Sequence, residues 1–281
     1  MECNLTAILK GGLGNQMFQI ATVYSISKTL GMNMIFFKKK EHDYGQGKHP
    51  SFYYTNVFAK IPFVEQIHID RTIPEKSWLY YPVIEEVGGN DTCGTICLDG
   101  FYQSEIHFQD HINEVKALFT PSSGIIEYLE KNSNIFELFP ELKEEHDYAF
   151  IGIRRGDYIK YNTFHNPCGM DYYKKAMGKL GKKRYYIASD DMDWVRNNFI
   201  GDMFYYFDIE DDVIQLYTTA LFNNYIISNS TFHWWGSFLS IYENPRILAP
   251  DKWSFGADVT FDKYWSIYRT NMEVIERAIE S

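Results

Sequence analysis

Lysine and arginine are scarce in this chain. Its 281 residues hold 27 of them against 37 aspartates and glutamates, a formal charge of -10. That balance argues against nucleic acid as a partner, and it makes any local pair of guanidiniums conspicuous. Cysteine is sparse too. Cys3, Cys93, Cys97 and Cys168 show no CxxC pairing, and no secretory signal opens the sequence. Reduced thiols and a cytoplasmic protein are the expectation. Without secretion, the glycosylation patterns at Asn4, Asn90 and Asn229 carry no meaning. No apolar run approaches the roughly 18 residues that a membrane span requires. Internal repeats, low-complexity segments and long linkers are missing. What is present is a hydrophobic content of 45%, enough for one large or two modest cores. The 22 tyrosines suit such cores and would also suit a surface that stacks on sugars.

Strand and helix patterns alternate in both halves. Residues 5–9 form a short apolar run, residues 10–15 a glycine-rich turn, and residues 16–30 a helix that Gly31 ends. A strand follows over 34–37, then a loop over 38–50. Another strand is expected over 96–101, with helices over 106–118 and 122–132. In the second half, strands are expected over 150–153, 185–188, 204–207, 225–227 and 246–249. Helices are expected over 171–178, 192–198, 213–222 and 232–242. This alternation predicts an α/β protein of two doubly wound units, residues 1–145 and 146–281, with a ligand in the cleft between them.

Four motifs carry chemistry. Arg154 and Arg155 end the run Tyr148–Ile153, which is apolar or small enough for the middle of a parallel sheet. Functional groups of open α/β sheets gather beyond the carboxyl ends of such strands, and two guanidiniums there match phosphate oxygens. The alternative is a solvated turn with an Arg–Asp ion pair, and Asp157 reads as the partner of Arg155. Gly11, Gly12 and Gly14 with Asn15 open the first helix. They fit neither the dinucleotide fingerprint nor the phosphate loop, so they read as a tight turn or as a close backbone approach to a ligand. Ser189, Asp190 and Asp191 follow a strand, where Ser189 or Asp190 reads as a helix cap or a carboxylate as facing a base or ribose. Ser228, Asn229, Ser230 and Thr231 end another strand, where hydroxyls and N–H groups suit a phosphate. His165 is a loop histidine that can serve as a base. His233 reads as packing or capping, and the tryptophans beside it as packing.

Taken in order, these segments resemble the α-1,2-fucosyltransferases, an inverting group within glycosyltransferase family 11. The segments are residues 11–19, 153–158, 189–191, 228–235 and 248–253, joined by 99–104 and 168–173. The resemblance spans about residues 5 to 255. It implies a GT-B-like fold of two Rossmann-like domains, the first for the acceptor and the second for the nucleotide sugar. It implies GDP-fucose as donor, a galactoside 2-hydroxyl as acceptor, and no metal or other cofactor. Arg154 would meet the departing β-phosphate, and Asp190 or Asp191 the guanine or ribose. Ser230 and Thr231 would hold phosphate, while Gly12, Gly14 and Asn15 would close over the donor. Arg154, Asp157 and His165 are the catalytic candidates, and Arg155 joins the donor-binding set. One departure stands out. The family usually carries a histidine two residues before the first arginine, which in related transferases touches the nucleotide, and here that residue is Gly152. A different nucleotide sugar is therefore an alternative, and a non-catalytic glycan-binding protein is a second.

Overall fold

In the computed structural model, the described residues are 2–38, 47–77, 79–89, 94–121, 123–132, 147–160, 165, 167–253 and 267–276. They divide into two compact units. One comprises Met1–Pro121 with Lys263–Arg269, the other Ser122–Asp262 with Thr270–Ser281. The interdomain boundary expected near residue 145 lies outside the described residues.

The first unit is built on a four-stranded parallel sheet in the order β2-β1-β6-β5. Its elements are β1 (Cys3–Ala7), α1 (Leu13–Leu30), β2 (Asn33–Met34), β3 (Phe36–Phe37), β4 (Phe63–Val64), β5 (Arg71–Pro74), α2 (Val83–Val87), β6 (Gly94–Asp99) and α3 (Ile112–Leu118). α1 is buried nearly all round as far as Ser27, which is why its apolar stripe follows helical spacing only loosely. Gly31 ends it at φ 68° and donates to the Ser27 carbonyl, a conformation that a side chain would strain.

The second unit holds a six-stranded parallel sheet in the order β12-β11-β10-β7-β8-β9. Its elements are α4 (Ser123–Asn132), β7 (Tyr148–Ile153), α5 (Gly156–Lys160), α6 (Met170–Leu180), β8 (Arg184–Ser189), α7 (Met192–Asn198), β9 (Phe204–Phe207), α8 (Asp212–Thr219), β10 (Asn224–Ile227), α9 (Thr231–Phe238), β11 (Arg246–Pro250) and β12 (Met272–Ile275). From β7 the chain moves outward through β8 and β9, then returns to β10 on the other side of β7. The order reverses between these two strands, both wholly buried, and a ligand crevice of a doubly wound sheet opens at such a point. Side chains alternate along β7. Ala149, Ile151 and Ile153 join Tyr172, Tyr173, Val195 and Phe199 in one core. Phe150 faces the other way, against Phe207, Phe222, Tyr225 and His233.

The elements depart from the sequence expectation at several points. The strand expected over 34–37 is two strands. β2 pairs with β1, whereas β3 pairs with β4 in a separate two-stranded sheet. The helix expected over 106–118 is a 3-10 stretch, Glu105–His111, followed by α3, with a non-helical residue at Phe108. α1 begins at Leu13, so Gly14 and Asn15 lie in its first turn. Helices α8 and α9 stop three and four residues short of expectation, at Thr219 and Phe238. The expected loop 38–50 falls mostly outside the described residues.

Candidate functional site

The alternation along β7 continues into the residues after it and sends the two arginines to opposite sides. Arg155 follows Ile153. Its guanidinium carbon lies 4.0 Å from the ring centroid of Trp194, which packs on the Ile153 core. Its Nε donates to Asp191 at 3.3 Å, and its side chain is 16% exposed. Arg154 follows Phe150 and Gly152. Its side chain is 37% exposed, with Nη2 2.8 Å from Asp157 and Nη1 3.0 Å from Asp190. The sequence suggested Asp157 as the partner of Arg155. The first turn of α5 instead brings residue 157 back over residue 154, three positions earlier, where it meets Arg154.

Asp190 and Asp191 act on both arginines. Asp190 Oδ1 accepts the backbone N–H of Arg155 at 2.8 Å, while Oδ2 meets Arg154. Gly156 leaves room for this carboxylate, because a Cβ there would stand 2.6 Å from Asp190 Oδ2. Asp191 caps α7 by accepting the Trp194 N–H at 3.1 Å, and the Ser189 hydroxyl accepts the Asp191 N–H at 3.0 Å. The cap is therefore Asp191, not Ser189 or Asp190.

The turn after β10 is tied to the same place. Asn229 is fully buried. Its amide nitrogen donates to the Trp253 carbonyl at 2.8 Å and to the His165 carbonyl, and its own carbonyl accepts from the Tyr158 hydroxyl at 3.0 Å. Tyr158 stacks on His165, with ring centroids 4.0 Å apart and planes 6° from parallel, and it lies 5.5 Å from the Arg154 guanidinium carbon. Burial holds the His165 imidazole below its ordinary range, Asp157 opposes that shift, and Arg154 adds to it. Ser230 is the N-cap of α9 without a side-chain cap bond, so the hydroxyls of Ser230 and Thr231 stand at the open N-terminus of this helix. A helix leaves its first N–H groups without intrahelical acceptors and carries a partial positive charge there. Arg154, Arg155, Asp157, His165, Asp190, Asp191, Ser230 and Thr231 thus share the carboxyl edge of the second unit's sheet. What they offer is a half-exposed guanidinium, hydroxyls and a helix N-terminus, all suited to a phosphate.

Gly12, Gly14 and Asn15 belong to the first unit. Gly12 caps α1, and a Cβ on it would meet nothing within 4 Å, so packing does not demand glycine there. Gly11 is different. It sits at φ 76°, and a Cβ would stand 2.4 Å from the Asn15 amide. Asn15 also accepts from Gln103 at 2.9 Å. Sequence reasoning missed the two glutamines of this motif. Gln16 donates to the carbonyls of Gly11 and Lys48, and Gln19 to those of Lys10 and Gly100. Both are fully buried, and together they fix the turn. It also missed Tyr158 and Trp194.

Residues 95–275 match the model of glycosyl transferase family 11. The chain is 24% identical over 290 residues to the O-antigen biosynthesis glycosyltransferase WbnK of Escherichia coli, covering 88% of this chain and 94% of the relative. It is 26% identical over 280 residues to an alpha-1,2-colitosyltransferase of the same organism, covering 89% and 92%. Among solved structures it resembles the NodZ alpha-1,6-fucosyltransferase co-crystallized with GDP, with a TM-score of 0.53, 13% identity and 88% and 94% coverage. The fucosyltransferase NodZ from Bradyrhizobium gives 0.52 at the same identity and coverage. At that identity the likeness speaks for the fold alone, and the fold is GT-B.

Proposed function

The chain belongs to glycosyl transferase family 11, and we propose that it moves L-fucose from GDP-β-L-fucose to the 2-hydroxyl of a galactoside with inversion. The observation that carries this reading is Arg154. A guanidinium stands half exposed at the carboxyl end of β7, where the strand order reverses. Such a group is suited to receive the charge that develops when a diphosphate leaves a sugar. In this reading the second unit binds the donor and the first unit the acceptor. Asp190 or Asp191 faces the ribose or base.

The proposed chemistry follows from charge. The bond between C1 and the phosphate oxygen lengthens while the acceptor oxygen approaches the opposite face. The sugar passes through an oxocarbenium-like state, and negative charge builds on the diphosphate. Arg154, the Ser230 and Thr231 hydroxyls and the first N–H groups of α9 receive that charge, so the reading takes no metal. Removing one such preorganised donor typically costs about 10²–10³ in rate. Arg155 holds the turn that presents Arg154, and Asp157 orients its guanidinium. The acceptor proton must go to a base, and His165 is the neutral candidate beside Arg154. If His165→Ala leaves the acidic limb of the pH–rate profile unchanged, His165 is not that base.

A second reading is favoured by the colitosyltransferase relative. It keeps the mechanism and changes the sugar. Incubation with GDP-fucose and a set of galactosides, followed by mass spectrometry, tests the first reading. A fucosyl increment on a galactoside supports it. Transfer from a colitosyl donor alone favours the second.

A further inference from the structure

Gly152 is buried in β7, directly before the two residues that lead to Arg155, and the space above it is taken. A Cβ at this position would stand 2.4, 2.6 and 2.7 Å from Cγ, Nδ1 and Cδ2 of His233. No side chain fits there while that imidazole is present. Gly152 is also where the family resemblance leads one to expect histidine, so an imidazole delivered by α9 stands over the position from which the strand would have delivered one.

The imidazole is held in one protonation state and one orientation. His233 is 4% exposed, in the first turn of α9. Its ring lies edge-on to Phe150, on the face of β7 that also carries Gly152 and Arg154. Nδ1 is 3.1 Å from the hydroxyl of Ser228, which is fully buried. The Ser228 proton has no other acceptor among the described residues, and a buried hydroxyl left without one is costly. Ser228 therefore donates to Nδ1, and in the neutral ring the proton sits on Nε2. Burial, and then the charge of Arg154, push the imidazole down to about 3, so it stays neutral at physiological pH. Among the described residues, the contact of Nδ1 with Ser228 is the one hydrogen bond seen for this ring, and none is seen from Nε2. A purely apolar filler for this space would not need Ser228 to fix its tautomer.

We infer that His233 is a donor-binding residue, whose Nε2–H donates to the β-phosphate of the nucleotide beside Arg154, with Gly152 absent of side chain to admit it and Ser228 to orient it. The inference rests on the diphosphate reading of the site. Neutral imidazole adds a directed hydrogen bond where the two carboxylates next to Arg154 already outweigh its single positive charge.

The test is calorimetric titration of GDP and of GMP into the wild-type protein and the variants His233→Phe and His233→Gln. Phenylalanine fills the space without a donor, and the glutamine amide places an N–H near Nε2. His233→Phe should weaken GDP by at least about tenfold, the size expected for a lost hydrogen bond to a charged group, and leave GMP unchanged. His233→Gln should stay within about threefold of wild type for both. Equal weakening of GDP and GMP in either variant overturns the inference, as does wild-type affinity for GDP in a folded His233→Phe. Should His233→Phe fail to fold, His233→Gln decides alone: near-native GDP affinity supports the inference, and a tenfold loss overturns it. A wild-type protein that binds neither nucleotide defeats the diphosphate reading itself, a separate result.

Discussion

The Arg155 guanidinium lies over the Trp194 indole, 4.0 Å from the ring centroid, and this contact separates the roles of two adjacent arginines. Arg155 is committed to Trp194 and Asp191, so it behaves as part of the core. Arg154 keeps a face to solvent.

Substitution should reveal that division. Arg155→Ala removes a partly desolvated cation–π contact and should lower stability by about 1–2 kcal/mol. Arg154→Ala removes exposed ion pairs and should change stability by less than about 1 kcal/mol. Urea unfolding of both variants checks this, and an equal loss in the two would contradict it.

Gly152 and His233 compete for one space, and their substitutions should not add. Gly152→Ala alone should cost about 1–3 kcal/mol, the usual price of overpacking. In a His233→Ala background the new methyl meets a vacated site, and its cost should fall by at least about 1 kcal/mol. A double-mutant cycle read by chemical denaturation measures the coupling. Additive losses would mean that the imidazole gives way at no cost.

Acid should destabilise the fold through His233. In the unfolded chain its imidazole ionises near 6.5, whereas in the fold it does so only at about 3, because of burial first and Arg154 second. Between those values the unfolded chain binds more protons. The histidine therefore opposes folding as pH falls below about 6.5, with a slope of up to about 1.4 kcal/mol per pH unit. His107, lowered to about 4 by burial, acts in the same direction. His233→Phe should flatten the dependence of unfolding free energy on pH between 6 and 4, as followed by urea titrations. An unchanged slope would show that His233 is already charged in the fold.

Asn229 joins three segments through its amide. Asn229→Ala would leave the buried carbonyls of Trp253 and His165 without this donor, at a cost of about 1–3 kcal/mol. Donor affinity should weaken with it, because the turn that carries Ser230 loses its anchor. Differential scanning calorimetry and GDP titration measure the two effects. A stable variant with native GDP affinity would limit Asn229 to packing.

Much of this was legible in the sequence, for physical reasons. β7 and β10 are buried on both faces, and their continuous apolar runs announce central strands. β8, β9 and α7 were likewise found within a residue or two. The edges were not. β5 and β12 are short, half-exposed strands whose pairing is decided by neighbours far away in sequence. β2 and β3 read as one strand because nothing local separates Met34 from Phe36, and only their different partners do. At the site, the arginine pair and the Ser-Asn-Ser-Thr turn were visible as strand ends. Asp157 was assigned to the wrong arginine because the short helix α5 left no periodic signal in five residues. The exchange between Gly152 and His233 spans 81 positions and exists only in three dimensions.

The central claim is that Arg154 receives the charge of the departing diphosphate. Its most direct test is kcat with GDP-fucose and a galactoside acceptor, for wild type, Arg154→Ala and Arg154→Lys, all confirmed folded by circular dichroism. Both variants should lose at least about a hundredfold, since a point charge does not replace the planar fork. Turnover near wild type in a folded Arg154→Ala protein would contradict the account.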